Sequence, residues 1–335
     1  MIKPTVSIII PAFNAERTIT RAIDSLVNQT YNGQIEIVVV NDGSTDGTKA
    51  QLEIYQITHE LRELQIYHQS NGGVSRARNK GIELASNEYL VFLDADDSYL
   101  EDAIANFMDR VCETRCDFLI SPVELVTVDA IITHSESKEH FYPLFLTGIM
   151  NSPCGKIFKT EVLKSRTVLF NSEFSMGEDL LFNMEFYFKA QKIVIFSYDG
   201  YCYDRNSSTL TGSFRENYFE ERLKVLGTFK DILSDQEIVF EDEYWFHVKL
   251  CYSVFLNYIA SSEQRTFKQR IQFVNSVRNH DKIRRILKKP ENKGIIRMTG
   301  GRILKWSPSW LIAVGISLLP YLKKMIPRKS SGSSI

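Results

Sequence analysis

A short apolar segment that runs straight into acidic residues constrains the fold of this 335-residue chain more than any other feature. Residues 89–93 read Tyr-Leu-Val-Phe-Leu, which is typical of a buried strand, and Asp94, Asp96 and Asp97 follow at once. Grouped carboxylates at the end of a buried strand are costly unless a cation lies nearby. Mg²⁺ and Mn²⁺ prefer oxygen ligands and usually share them with substrate phosphates. The segment therefore indicates either a metal site for a phosphate-bearing substrate or, equally well, a cap for a helix that begins at Ser98–Glu101.

Strand-like and helix-like segments alternate through the first hundred residues. Apolar runs predict strands over 5–10, 34–40, 64–68 and 88–93, and helical spacing predicts helices over 15–29, from about 47, and over 74–85. Such runs predict an α/β fold with a parallel sheet that is buried on both faces. Ligands bind such sheets beyond the carboxyl ends of the strands. We therefore expect the fold to bring together Pro11–Asn14, Asp42, Asp94 and Asp96.

Two common phosphate-binding motifs are missing from the sequence. No G-x-G-x-x-G follows the first strand, and no G-x-x-x-x-G-K-[ST] occurs anywhere. These absences argue against a dinucleotide-binding domain and against a P-loop NTPase. A metal on Asp94 and Asp96 is then the candidate for handling phosphates.

Four motifs occur in a defined order: Pro11–Asn14, Val40–Gly47, Asn71–Asn79 and Phe92–Asp97. Together they resemble the family 2 glycosyltransferases with a GT-A fold. The resemblance covers the first hundred residues and extends more loosely to about Phe214. It implies a GT-A (Rossmann-like), mostly parallel sheet flanked by helices, and an inverting transferase that uses a nucleotide-diphospho-sugar, usually a UDP-sugar, with Mg²⁺ or Mn²⁺.

The same resemblance implies roles for residues in the matching motifs. Pro11, Phe13 and Asn14 are expected to line the nucleotide pocket. Asp42 is expected to accept hydrogen bonds from the base or ribose, and Arg78 to lie near the nucleotide and the diphosphate.

The resemblance also implies a metal ligand and a general base. Asp96 is the expected direct metal ligand, and Asp94 is expected to contact the ribose or the sugar. The segment Ser175–Asn183 resembles the family's Glu-Asp motif, which implies that Asp179 is the base and that Glu178 binds the acceptor or orients the loop. Both carboxylates also precede an apolar helical run, where acidic residues are favourable without any catalytic role. The order of the motifs along the chain favours catalysis.

Two further basic residues are weaker candidates. Lys156 follows Asn151–Gly155, where relatives usually read Asn-Lys, and it is expected to contact the donor or the acceptor. Arg205 lies in a segment that resembles the family's Tyr-x-Arg loop. It is expected either to clamp the diphosphate or to be an ordinary solvated residue.

Charge is distributed very unevenly along the chain. Residues 266–335 contain 16 Lys and Arg against 2 Asp and Glu, whereas residues 1–265 contain 24 against 39. The apolar run 311–322 is too short to span a bilayer in a helix, and it is preceded by Trp306 and Trp310 and flanked by basic residues. These features favour a helix in the membrane interface over a packing or oligomer-forming helix or a nucleic-acid site.

These observations predict a domain organisation and a cellular location. The predicted regions are a GT-A domain (1–214), a helical region (215–292), a basic membrane-associating segment (293–329) and a disordered tail (330–335). Met1–Pro4 leads directly into the first strand without a signal peptide, which predicts a cytoplasmic protein on the inner face of the membrane. The sequence leaves the transferred sugar and any homo-oligomeric state open.

The predicted function is transfer of a sugar from a UDP-sugar to a hydroxyl of a glycan, with a lipid-linked oligosaccharide as the expected acceptor. This activity would serve bacterial capsule, exopolysaccharide or cell-wall polymer synthesis. Two alternatives remain at this stage: a catalytically degenerate membrane-bound scaffold for other glycosyltransferases, and a nucleotidyltransferase on a similar sheet.

Overall fold

The computed structural model describes residues 3–59, 63–121, 129–204, 218–239, 266–279 and 281. The strands of this part are β1 (Val6–Ala12), β2 (Ile35–Asp42), β3 (Leu64–Gln69), β4 (Tyr89–Phe92), β5 (Ser98–Tyr99), β6 (Phe118–Ile120), β7 (Ala130–Thr133), β8 (Lys156–Lys159), β9 (Lys192–Ile195) and β10 (Tyr201–Cys202). The α-helices are α1 (Ile19–Val27), α2 (Thr48–His59), α3 (Val74–Leu84), α4 (Ala103–Thr114), α5 (Ser137–Thr147), α6 (Thr160–Ser165), α7 (Glu178–Lys189), α8 (Tyr218–Asp235) and α9 (Phe267–Asn279).

Eight strands form one sheet in the order β3-β2-β1-β4-β8-β6-β9-β7. Strands β3, β2, β1 and β4 are parallel neighbours, whereas β8 is antiparallel to both β4 and β6. Helices separate the parallel strands along the chain, as crossover connections require. The predicted α/β fold with a mostly parallel sheet is therefore confirmed.

The central strand β1 explains why the apolar run at the start of the chain forms a strand. All seven of its residues are buried, because β2 lies on one side of it and β4 on the other. The expected strand end at Pro11 is wrong, since β1 continues to Ala12. Pro11 is tolerated because pairing with β4 ends at Ile9, so no partner strand needs the missing N–H there.

The first helix begins later than its apolar spacing predicts. The N–H groups of Thr18 and Ile19 both donate to the carbonyl of Ala15 in a turn, and α1 starts at Ile19. Helical spacing predicts one apolar face made of Ile19, Ala22, Ile23, Leu26 and Val27. The first four are buried as predicted, whereas Val27, at the last position of the helix, is 41% exposed.

The predicted helix start at Ser98–Glu101 is wrong. Ser98 and Tyr99 instead form the strand β5, which pairs with β10 in a small antiparallel sheet, and α4 begins only at Ala103. The Tyr99 ring is buried against the Tyr201 ring, with 5.2 Å between their centroids. The strand at Ser98–Tyr99 depends on pairing with a segment about a hundred residues away. Local capping signals do not report such pairing, so they wrongly predicted a helix start.

Aromatic side chains fill the space between the sheet and α7. Phe158 of β8 lies at its centre, with ring centroids 5.3 Å from Phe182 and 5.0 Å from Phe186. The Phe92 ring at the end of β4 meets the same cluster edge-on. This packing fixes the first turn of α7 beside the end of β4.

The chain divides into two compact units, one of residues 1–207 and 225–238 and the other of residues 208–224 and 239–335. The first contains both sheets. In the second, the described residues include α9, along which Val274 is buried. The domain boundaries given above remain predictions. Among the described residues, none of the helices has the length and apolar character needed to cross a membrane. The predicted membrane-associating segment 293–329 and the tail 330–335 lie outside those residues.

Candidate active site

The carboxyl ends of β1, β2 and β4 meet at one edge of the sheet. Phe13 and Asn14 directly follow β1, Asp42 is the last residue of β2, and Asp94 and Asp96 come just after β4. Since these strands are parallel neighbours, the three segments lie side by side. The sheet therefore gathers the residues that the motifs single out, as the sequence predicts.

The loops after β1 and β2 are bound to each other by short polar contacts. The Asn14 N–H donates to Ser44 Oγ at 2.9 Å, and the Thr45 N–H donates to Asn14 Oδ1 at 2.8 Å. Asn14 adopts a left-handed backbone (φ 51°), which asparagine tolerates better than most residues. The adjacent Phe13 side chain stays 47% exposed, which leaves its ring available for a planar ligand.

Asp42 is buried and fixes the segment that leads into α3. Its Oδ1 accepts hydrogen bonds from Gln69 Nε2 and from the Gly72 N–H, and its Oδ2 accepts one from the Gly73 N–H, all at 2.8 Å. Gly73 has a φ of +87°, a backbone that a side chain would strain. Contact of Asp42 with a base or ribose stays a prediction, while its contacts within the chain set where α3 starts.

Arg78 on α3 joins two carboxylates that lie far apart in the sequence. Its Nη2 donates to Asp94 Oδ1 at 2.9 Å, and its Nη1 donates to Asp179 Oδ1 at 2.7 Å. Only 4% of Arg78 is exposed, and its guanidinium carbon lies 5.2 Å from the centre of the Phe170 ring. Burial works against the charge, but Asp179 and Asp94 hold the pKa of Arg78 above its ordinary value.

Asp179 lies in the first turn of α7, directly after Glu178. Gly177 before them has a φ of +87°, which allows the chain to turn into the helix. Burial raises the pKa of Asp179 to about 7; Arg78 opposes this shift, while Glu178 and Asp94 add to it. The Asp179 side chain keeps 21% of its surface exposed, so the carboxylate is largely shielded from solvent but can still contact a bound molecule.

The third acidic residue after β4, Asp97, organises the chain around Asp96. Asp97 is 1% exposed, and it accepts hydrogen bonds from the Tyr201 hydroxyl and from the Asp204 N–H. Burial raises the pKa of Asp97 to about 6. Arg21 on α1 donates to the Asp96 carbonyl at 2.6 Å and to Asp204 Oδ2 at 2.7 Å. The turn that carries Asp94 and Asp96 is therefore held from both sides.

Asp97 and Arg21 were not assigned to the site from the sequence. The sequence offers a signal for a site role of Asp97, since this residue ends the same acidic cluster as Asp94 and Asp96. It offers no such signal for Arg21, because a basic residue on an amphipathic helix is most often solvated. Its contact with Asp204 depends on the pairing of β5 with β10, which brings distant segments together.

Lys156 is buried at the start of β8. Its Nζ donates to the Ser152 carbonyl at 2.6 Å, and burial lowers the pKa of Lys156 to about 8. Asn183 on α7 donates to the same carbonyl at 2.9 Å, so the loop before β8 is fastened to α7. Gly155 has a φ of +67°, a conformation that glycine adopts freely and asparagine tolerates. This backbone accounts for a glycine where relatives usually have asparagine.

The remaining candidates are a metal site and Arg205. Within the described ranges, no group of three His, Cys, Asp or Glu side chains is arranged to hold a metal ion. Arg205 lies outside the described residues. The predicted roles of Asp96 and Arg205 therefore remain predictions.

Comparison with protein families identifies the domain that carries this site. The model for "Glycosyl transferase family 2" matches residues 7–164, which include β1 to β4 and the motifs after them. Residues 7–164 belong to glycosyl transferase family 2. The matched range ends before Asp179, so the family assignment rests on the motifs between Pro11 and Asp97.

Relatives of this family 2 domain include two bacterial proteins. The chain is 29% identical over 221 residues to "Uncharacterized glycosyltransferase EpsJ" of Bacillus subtilis, covering 62% of this chain and 63% of that one. It is 30% identical over 201 residues to "Poly(ribitol-phosphate) beta-N-acetylglucosaminyltransferase TarS" of Staphylococcus aureus, covering 59% of this chain and 35% of that one. The chain thus spans less than two thirds of the length of either relative.

Solved structures have the same fold. S. aureus TarS 1–349 in complex with UDP-GlcNAc superimposes with a TM-score of 0.57 at 20% identity, over 98% of this chain and 95% of that one. The mannosyltransferase PcManGT from Pyrobaculum calidifontis, in complex with GDP-Man and Mn²⁺, gives a TM-score of 0.52 at 17% identity, over 95% and 88%. At these identities the likeness supports the fold alone.

Proposed function

We propose that this protein transfers a sugar from a UDP-sugar to a hydroxyl group of a cell-surface polymer or its lipid-linked precursor, with inversion at the anomeric carbon. The observation that carries the proposal is the contact of the single side chain Arg78 with both Asp94 and Asp179. Asp94 belongs to the Phe92–Asp97 motif of the family 2 domain. Asp179 is the proposed general base, and burial raises its pKa to about 7.

The donor site lies over the carboxyl ends of β1, β2 and β4. Pro11, Phe13 and Asn14 would line the nucleotide pocket, with Asp42 beneath it. The exposed Phe13 ring offers an aromatic face to a base. A UDP-sugar is the proposed donor because the related TarS has been crystallised with UDP and with UDP-GlcNAc.

A divalent metal fits the acidic turn after β4. Mg²⁺ and Mn²⁺ are commonly held by one or two carboxylates together with substrate phosphates and water. Asp94 and Asp96 lie two residues apart in the turn after β4 and would supply such carboxylates. Asp96 is the proposed ligand, and the metal would supply charge stabilisation for the departing diphosphate.

Asp179 is the proposed general base. The acceptor oxygen attacks the anomeric carbon and loses its proton to the Asp179 carboxylate. The bond from that carbon to the diphosphate oxygen breaks, and the diphosphate leaves with the electron pair. A base works best when its pKa lies near the working pH, and burial brings the pKa of Asp179 to about 7. Glu178, beside it and buried, would orient the acceptor or the loop.

The acceptor proposal rests on the relatives and on the sequence. TarS is named for transfer to poly(ribitol-phosphate), and another relative, TuaG of Bacillus subtilis, for teichuronic acid biosynthesis. The basic C-terminal segment would hold the enzyme at the inner membrane surface, where lipid-linked acceptors are found. Lys156 is buried and donates to the Ser152 carbonyl, so its proposed contribution is to shape the acceptor side of the site through that loop.

Two substitutions test the proposal. Asp96→Ala should abolish the thermal stabilisation that UDP and Mn²⁺ give together, since it removes the metal ligand. Asp179→Asn should keep that stabilisation and lower transfer from UDP-sugars by at least about 10²-fold, which is the usual contribution of general base catalysis.

The same experiments distinguish the proposed transferase from a nucleotidyltransferase and from a scaffold protein, and they also test the base assignment. Near-normal transfer by Asp179→Asn would remove Asp179 as the base. Transfer of a nucleoside monophosphate in place of a sugar would indicate a nucleotidyltransferase. A wild-type protein that no nucleotide stabilises would indicate a scaffold.

A further inference from the structure

Arg78 is placed to act on Asp179 through contacts within the chain. Its two terminal nitrogens are already bonded to Asp94 and Asp179, and 96% of the residue is removed from solvent. We propose that Arg78 is a positioning residue that keeps the Asp179 carboxylate ionised and aimed toward the donor side of the site. This inference rests on the proposed role of Asp179 as base and adds to it the group that sets its charge.

The planar guanidinium gives Arg78 a function that a lysine cannot reproduce. Separate nitrogens of one rigid group bind the two carboxylates, so the distance between Asp94 and Asp179 is fixed by the group itself. An ammonium ion is a point charge on a flexible stem and fixes no such distance. The Arg78 guanidinium therefore couples the orientation of Asp179, the proposed base, to the position of Asp94, which is expected to contact the donor.

The position of Arg78 is itself set by other elements. Asp42 at the end of β2 binds the Gly72 and Gly73 N–H groups and thereby fixes where α3 begins. The Phe170 ring lies against the guanidinium. The charge of this buried cation is compensated chiefly by its two carboxylates, and within the described residues the Arg78 Nε has no hydrogen-bond partner.

Charged groups from every neighbouring element act on Asp179. Glu178 on α7 and Asp94 after β4 are anions that raise its pKa, whereas Arg78 on α3 and Lys156 on β8 lower it. The Cys154 thiol before β8 also interacts with Asp179. Burial raises the pKa of this thiol well above its ordinary value, so it stays neutral near pH 7. These groups predict opposite effects for two substitutions. Loss of the Arg78 cation should raise the pKa of Asp179, and loss of the Asp94 charge should lower it.

The test is a titration of the Asp179 carboxyl carbon by ¹³C NMR in the full-length protein without nucleotide or metal. Asp179→Asn assigns the signal by removing it. Arg78→Met should raise the pKa of Asp179 by about one to three pH units, the usual effect of an adjacent opposite charge. Asp94→Asn should lower it, and Arg78→Lys should give a value between wild type and Arg78→Met. Arg76→Met is the matched control, because Arg76 lies on the same helix and is exposed.

An Asp179 pKa that is the same in Arg78→Met as in Arg76→Met overturns the proposal. If Arg78→Met does not fold, the opposite shifts expected for Asp94→Asn and Arg78→Lys decide the matter, and their absence overturns it. The titration needs no catalytic activity, so its result is separate from the transfer assay of Asp179→Asn that tests the proposed function. In the active enzyme, the acid limb of the pH profile of kcat should move to higher pH in Arg78→Lys and stay unchanged in Arg76→Met.

Discussion

At the scale of single residues, this protein buries charged groups and satisfies them in different ways. Arg78 is compensated by two carboxylates, whereas Lys156 donates to backbone carbonyls, at Ser152 and more weakly at Cys154. The donors to Glu36 within the described part of the chain are all neutral. A buried group whose pKa differs between the folded and the unfolded chain makes stability depend on pH. A buried acceptor that loses its hydrogen bonds lowers stability directly. Lys156 and Glu36 therefore give different predictions.

Lys156 predicts a pH-dependent component of stability. Burial lowers its pKa to about 8, while the unfolded chain holds this proton up to about pH 10.4. The folded protein thus binds fewer protons between these values, so this component of the free energy of unfolding rises with pH across that window. At about 1.4 kcal/mol per pH unit, the full rise is on the order of 3 kcal/mol.

Lys156→Met should remove that component. Urea unfolding of the variant at pH 8 and pH 10 should show a difference in stability that is smaller than in wild type by about 1–3 kcal/mol. Lys49→Met is the control, because the Lys49 side chain is 60% exposed. Equal pH dependence in wild type and Lys156→Met would contradict the prediction.

The hydrogen bonds of Glu36 predict how much stability is lost when one of its acceptor oxygens is replaced. Its two oxygens accept hydrogen bonds from Ser7, Gln65 and from the N–H and hydroxyl of Ser86. In Glu36→Gln an amide N–H₂ faces two of these donors, which should lower the free energy of unfolding by about 1–3 kcal/mol. Chemical denaturation measures this loss. Glu53→Gln on the exposed face of α2 should change stability by less than about 0.5 kcal/mol.

At the scale of elements, α3 links the sheet to the site. It starts where Asp42 holds Gly72 and Gly73, presents Arg78 in its second turn, and lies directly on β1 near its end. Gly81 makes this close approach possible, because a Cβ there would overlap the Ile9 side chain. A helix that sits farther from β1 would carry Arg78 away from Asp94.

Gly81→Ala should therefore destabilise the protein, despite the higher helix propensity of alanine. Overpacking of this kind costs about 1–3 kcal/mol, which thermal or urea unfolding detects. The matched control is Gly227→Ala in α8, where an added Cβ meets no atom within 4 Å. That change should stabilise by up to about 1 kcal/mol. A stabilising Gly81→Ala would show that α3 has room to move from β1.

At the scale of the whole molecule, the acidic first part and the basic last part of the chain suggest separate partners. The acidic cluster after β4 suits a metal with a diphosphate. The excess of Lys and Arg over residues 266–335 suits an anionic surface. A sugar donor from solution and an acceptor at a membrane would then meet at one enzyme.

The proposed binding of the basic C-terminal segment to an anionic membrane can be tested with the full-length protein. Replacing both Lys323 and Lys324 by Ala should weaken binding to liposomes with anionic lipids by about tenfold or more, since each basic residue contributes about 1 kcal/mol at such a surface. Replacing the exposed Lys49 and Lys138 should have no such effect. Co-sedimentation at low and high salt measures both. Equal binding by the two variants would rule out an electrostatic anchor at 323–324.

The sequence by itself determined the four parallel strands β1 to β4 and the edge of the sheet at which the motif residues gather. Apolar runs and periodicity are local signals, and parallel strands place their carboxyl ends together whatever the details of packing. Boundaries were less well predicted. Ser98 and Tyr99 form a strand because Tyr201 pairs with Tyr99 from far along the chain, which a local helix-start signal does not report.

Tertiary structure alone decided how the charged side chains work together. The sequence singled out Arg78, Asp94 and Asp179 separately, but only the packing of α3 and α7 beside β4 placed one guanidinium between two carboxylates. Burial is likewise a property of the folded chain, so the lowered pKa of Lys156 and the raised pKa of Asp179 had no local signal. Motifs indicate which groups a site contains, whereas the electric field that each group experiences is set by all the elements around it.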